Sequence, residues 1–137
     1  MSIGNDIKTA LELDDALMAL LTGGVFADVE EINRQNTPGA FDANMEIEPC
    51  ILIKEGTETK LRPTRRGVQT PITIYFYQRS GFDVIDAAIA LAFDDLNEKK
   101  IGDSVWNIEH DITIHRQRDA ALDCPLGTLR FVAKRKL

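Results

Sequence analysis

The sequence predicts an α+β domain: a mainly antiparallel β-sheet with two main helices packed on it and a long hairpin arm or loop. Three observations predict it. Residues 72–77, Ile-Thr-Ile-Tyr-Phe-Tyr, alternate Ile72, Ile74 and Phe76 against Thr73, Tyr75 and Tyr77, which is the period of a strand. Beyond the Ser80-Gly81 turn the period changes, and Phe82, Ile85, Ile89, Ala92, Phe93 and Leu96 recur three or four apart along one helical face. Adjacent strand-like segments follow one another without helical crossovers, which favours antiparallel pairing.

The elements follow in order. A first helix is expected over residues 5–22, capped by Asn5 or Asp6, whose short side chains can accept from free amides of the first turn. Its apolar face is Ile7, Ala10, Leu11, Leu13, Leu17, Leu20 and Leu21, and Gly23-Gly24 stop it. A short strand is expected at 25–29. Residues 30–48 are polar around Thr37-Pro38-Gly39 and are expected to form a long surface loop with little regular structure. The strand at 50–54, Cys-Ile-Leu-Ile-Lys, is apolar on both faces and suits an interior position in the sheet.

Residues 55–69 are a polar insert too long for a tight turn, either an extended hairpin arm or a mobile loop. Lys60, Arg62, Arg65 and Arg66 crowd there, fit to contact phosphate or an acidic neighbouring subunit. A solvated loop tip is the plain alternative. The helix after residue 82 carries Asp83 and Asp86 near its start and Lys99-Lys100 at its end, both favourable to the helix dipole. After Gly102-Asp103, a strand over 105–116 puts Trp106, Ile108, Ile112 and Ile114 on one face. The loop 117–123 leads to a last strand over 126–134, with Leu129, Phe131 and Ala133 on one side, so the final two strands form a hairpin. Ile74, Phe76, Ile85, Ile89, Trp106, Ile112 and Phe131 are the expected core.

A chain of 137 residues at 44% hydrophobic and 28% charged fits one soluble domain spanning 1–137. The start of the chain lacks the basic region of a signal peptide, so a cytoplasmic site of synthesis is expected. Cys50 and Cys124 lack a CxxC spacing and are expected to be small buried residues rather than a metal or redox pair. The net charge of −6 argues against general nucleic-acid binding. The charge is uneven. Residues 1–58 hold 12 acids and 3 bases, and residues 59–137 hold 10 acids and 13 bases. Such halves can provide complementary faces for self-association. Bases of the arm would then meet Glu30, Glu31, Glu46 or Glu48 of another subunit.

Chemistry is sparse. His110 and His115, five apart in a strand, are expected on opposite faces and unable to share a metal ion. Asp14-Asp15 and Asp94-Asp95 are consecutive carboxylates on helices, which diverge by about 100° and so are caps or solvated faces first. Gly23-Gly24 follows a helix and does not open one, so no phosphate loop is present. No catalytic residue, metal site or cofactor site is expected, and an enzyme is not the expected class.

With these elements in place, the layout resembles the tail terminator proteins of long-tailed bacteriophages, the family that includes the lambda tail terminator. The matching features are the leucine-rich first helix ending at Gly23-Gly24, the strand at 25–29, and Cys-Ile-Leu-Ile-Lys before a long polar insert. They continue with Ile-Thr-Ile-Tyr-Phe-Tyr, the helix Val-Ile-Asp-Ala-Ala-Ile-Ala-Leu-Ala-Phe-Asp-Asp-Leu, and two strands joined through Arg-Gln-Arg-Asp-Ala-Ala-Leu-Asp. The resemblance covers roughly residues 5–137 and rests on order and length. It implies a structural virion protein of the tail or neck, assembled in the host cytoplasm. It implies a homohexameric ring that caps the tail tube and joins it to the head-tail connector or stopper protein. DNA would pass through its channel without sequence-specific binding, and no membrane or cofactor would be involved. The insert at 55–69 carries more bases than that family's pattern suggests. The alternatives are another neck connector or completion protein, or a small-molecule-binding α+β domain using His110.

Overall fold

A computed structural model describes residues 2–60, 67–102 and 105–136, with the backbone but not the side chains of Trp106 and Lys136. Its centre is the strand running from Gly67 to Tyr77. In chain order the helices are α1 (Ile3–Glu12), α2 (Asp15–Leu20) and α3 (Asp83–Leu96). The strands are β1 (Gly24–Ala27), β2 (Cys50–Glu55), β3 (Thr59–Lys60), β4 (Gly67–Tyr77), β5 (Lys99–Ile101), β6 (Val105–Asp119) and β7 (Cys124–Lys136). They form one sheet ordered β1-β2-β4-β7-β6-β5, with β3 also paired to β4. The α+β class is as expected. Every described pairing is antiparallel except β1 with β2, which is parallel.

That exception explains the long polar segment. A parallel neighbour requires the chain to return to the start of the sheet. Residues 28–49 make this return and carry a short 3₁₀ turn at Pro38–Ala40. They also lie over the sheet, burying Ile32, Ala40, Phe41 and Ile47 against Cys50, Leu52, Tyr77, Cys124 and Leu126. The expected surface loop is therefore also the cover of one sheet face, called here the outer face.

The three helices cover the other face. Ile51, Ile53, Ile72, Ile74, Phe76, Leu129, Phe131 and Ala133 meet Ile7, Leu11, Leu17, Ile85, Ile89, Ala92 and Leu96 in a continuous core. The expected strand and helix faces both hold: Ile72, Ile74 and Phe76 are buried, and so are Ile85, Ile89, Ala92 and Leu96. Gly127 lets α3 approach, because a Cβ there would stand 2.6 Å from Ile85 Cγ2 and 2.9 Å from Ile89 Cδ1.

The helix ends differ from expectation. The first helix is two helices, broken at Leu13, whose side chain is exposed rather than part of the stripe. Asp14 breaks it by accepting from Leu17 N at 3.1 Å, a side chain competing with the backbone ladder. Ser2, not Asn5 or Asp6, caps α1 through Asn5 N at 3.1 Å. At α3, the cap comes from the preceding strand end: Gln78 Oε1 accepts from Val84 N and Ile85 N, each at 3.0 Å. Gly81, at φ +76°, makes the turn between them. Lys99 and Lys100 do not extend α3; they enter β5 after Glu98, at φ +60°, turns the chain.

The largest correction is in β6. Its register with β7 shifts between Val105 and Asn107, between His110 and Ile112, and between Ile114 and Gln117. The second shift inserts one extra residue, a β-bulge, which inverts the alternation beyond it. Ile108 stays buried on the helix side, while Ile112 and Ile114 turn to the outer face and are 43% and 38% exposed. Ile112 is therefore not core. The expected burial of Trp106 and the turn at Asp103 lie outside the described residues.

Candidate functional site

The expected contact residues are placed as follows. Glu55 ends β2 and Gly67 begins β4, so the polar insert is bounded by two long paired strands. Within it, β3 pairs Thr59 with Gln69 and Lys60 with Val68. Glu58 accepts from Arg135 Nη2 at 2.5 Å, tying the base of the insert to β7. Lys60 is exposed. Arg62, Arg65 and Arg66 lie outside the described residues.

The four expected acids fall into two groups. Glu30 and Glu31 stand exposed beside the β1 edge. Lys54 Nζ donates to the Glu30 carbonyl at 2.8 Å and lies 3.7 Å from its carboxylate. Glu31 accepts from Asn33 Nδ2 at 3.0 Å. Glu46 and Glu48 lie instead near the end of β4, where Glu46 is paired with Arg79. Glu48 lines an open cleft of about 330 Å³ with Thr22, Asp42, Gln78 and Arg79. The four expected acids therefore do not form one cluster.

The histidines do not occupy opposite faces. The bulges bring both toward α3: His110 stacks edge-on with Phe93 at 5.1 Å and Phe131 at 5.9 Å, and His115 Nδ1 lies 3.7 Å from Asp86. Phe93 and Asp86 are two turns of α3 apart, about 10 Å, so the two rings still do not converge. His110 is exposed at the rim of the core, with Nε2 2.7 Å from Thr113 Oγ1. Arg116 holds Asp86 by two bonds of 2.8 and 2.9 Å, and that bond is the chief reason the Asp86 carboxyl sits below its usual range. These are ties between strand and helix. Among the described residues no group of three or more His, Cys, Asp or Glu side chains is placed to hold a metal ion. Both cysteines are buried, as expected, and they are unpaired. Burial is the first cause raising the Cys50 thiol, and it pushes Cys124 up to about 11, which leaves both inert.

Sequence reasoning missed the outer-face patch of Ile112, Ile114 and Arg130. Arg130 pairs across the strands with Ile112 on one side and Thr73 on the other, and it is exposed. One signal was available: Glu109-His110-Asp111 are three consecutive polar residues where strict alternation calls for an apolar one.

The chain is thus an α+β domain with one sheet face covered by helices and the other by a loop segment. No family model matches the chain, and no curated protein matches it. Among solved structures it is similar to a chain of the virion of a native gene transfer agent particle. That match has a TM-score of 0.69 and 17% identity, and covers 99% of this chain and 96% of the other. At that identity the likeness is one of fold.

Proposed function

We propose that this chain is a structural protein of a phage-like virion, and within the virion a tail terminator. On this reading it forms a homohexameric ring that caps the tail tube and joins it to the head-tail connector, with DNA passing through the channel. The observation that carries the reading is the end-to-end fold likeness to a virion chain. The order and length of the elements, which resemble the tail terminator family, support the finer placement. The role is non-enzymatic. Ring closure needs two different faces on each subunit related by rotation, and the uneven charge of the chain supplies them. The arm bases Lys60, Arg62, Arg65 and Arg66 would contact acids of a neighbouring subunit or ring. Exposed pairs of this kind contribute about 0–1 kcal/mol each, so their effect is steering and register.

The experiment is to mix the purified chain with purified tail tubes and image them. Rings seated at one tube end support the terminator role. Rings that bind connectors but never tubes assign the chain to another layer of the neck, and a dispersed monomer contradicts both.

A further inference from the structure

We propose that the outer face of β6, around Ile112, Ile114 and Arg130, is the surface on which the Glu30-Glu31 edge of a second copy of this chain docks. This rests on the virion-protein reading above and names the seam within its ring.

The patch is built by the fold. The bulges before Ile112 and after Ile114 turn these two isoleucines out of the core. Both keep roughly two fifths of their surface in water, although each is a strand residue with buried partners one register step away. The strand edge beside them is also open. β5 covers β6 only to Ile108, and Asn97 Oδ1 takes the His110 amide at 2.9 Å. Beyond that point, no described strand pairs with the free side of β6. The regular stretch between the two bulges is too short for an added strand of the usual five or six residues. Side-chain packing on Ile112 and Ile114 is therefore the mode of contact, with Arg130 beside them.

Charge selects the occupant. Arg130 has no acidic partner among the described residues, whereas nearby Arg116 and Arg118 are held by Asp86 and Asp123. At the other edge of the sheet, Glu30 and Glu31 stand on the segment that covers the outer face, and the Glu30 side chain is 96% exposed. Within one copy Lys54 lies 3.7 Å from the Glu30 carboxylate, and no base among the described residues pairs with Glu31, so the acidic edge keeps charge that can meet the basic-apolar patch of another copy. That is a head-to-tail arrangement, the kind that closes into a ring.

The test measures the mass of the purified chain by sedimentation and native mass spectrometry. The wild-type chain is expected as a closed multi-subunit species. Ile112→Asp with Ile114→Asp should give a monomer with an unchanged far-ultraviolet circular dichroism spectrum, and Arg130→Glu should weaken association about tenfold. A chain with Glu30→Lys and Glu31→Lys should also fail to close. Mixing that chain with the Ile112→Asp, Ile114→Asp chain should give one-to-one pairs and nothing larger, because only one seam remains intact. This mixing result also shows that each variant is folded. A wild-type monomer, or aspartate variants that still close, overturns the proposal. If those variants close and the wild type caps tail tubes, the seam is wrong and the terminator reading stands. If the seam behaves as stated and no tube is bound, the terminator reading fails alone.

Discussion

Asp95 has the least water-like environment of the described carboxyls. Its Oδ2 is buried without a partner, and Asp14, the cap of α2, lies against it. Burial first, then Asp14 and Asp94, push the Asp95 carboxyl up to about 7, against the opposing pull of Lys99. Asp14 stays ionised, held below its usual range chiefly by its bond with Asp95. The sign follows from linkage. Between the ordinary value of 3.8 and about 7, Asp95 holds a proton in the folded chain and not in the unfolded one. Its contribution is complete below that window and is lost as pH rises through it. Asp14 acts oppositely, and its contribution is lost only at more acid pH. Asp95→Asn should therefore flatten the fall in stability between pH 4 and 7, and should add roughly 1 kcal/mol at pH 8, since the site is partly solvated. Urea unfolding across that range checks this, and parallel profiles for the two proteins would contradict it. Gln78 offers a second test. Gln78→Ala should cost about 1–2 kcal/mol by removing the acceptor for two amides at the start of α3.

At the scale of elements, β6 and α3 were legible to different degrees. The α3 stripe follows from sequence spacing alone, since helical geometry fixes which side chains share a face. Ile89→Ala should cost about 2–5 kcal/mol, measured by chemical denaturation. Ile112 has the same residue type and stands at the strand period from Trp106 and Ile108, yet Ile112→Ala should cost less than about 1 kcal/mol. A loss like that at Ile89 would mean that the bulge is absent. The bulge was hard to foresee because one extra residue in a strand is specified by its pairing with β7, not by local propensity. The parallel pairing of β1 was hidden for a related reason: the polar return segment looked like loop, and its four buried apolar residues are spread over many positions. The break before α2 was nearer the surface of the sequence, since Asp14 is a strong cap standing inside an apolar stripe. Gly127→Ala should cost about 1–3 kcal/mol, because the new methyl meets buried Ile85 and Ile89. A neutral result would show that α3 can shift away from β7.

At the scale of the whole molecule, charge asymmetry was visible in the sequence, but its geometry was not. The four acids singled out, Glu30, Glu31, Glu46 and Glu48, are divided by the fold between the β1 edge and the end of β4, where Glu46 is already engaged by Arg79. The base-rich insert at 55–69 stands out by length and composition, and its contacts are a proposal. The apolar part of the outer patch could not be read from composition, because Ile112 and Ile114 look like core until the register of β6 is known. Assembly through these surfaces should weaken with salt insofar as the charges steer it, and persist insofar as the isoleucines hold it. The proposed role, a ring that caps a tail tube, is tested by imaging purified tail tubes after incubation with the wild-type chain: a ring of about six subunits, closed by cyclic symmetry, is expected at one end of each tube, and bare tube ends beside free monomers would contradict it.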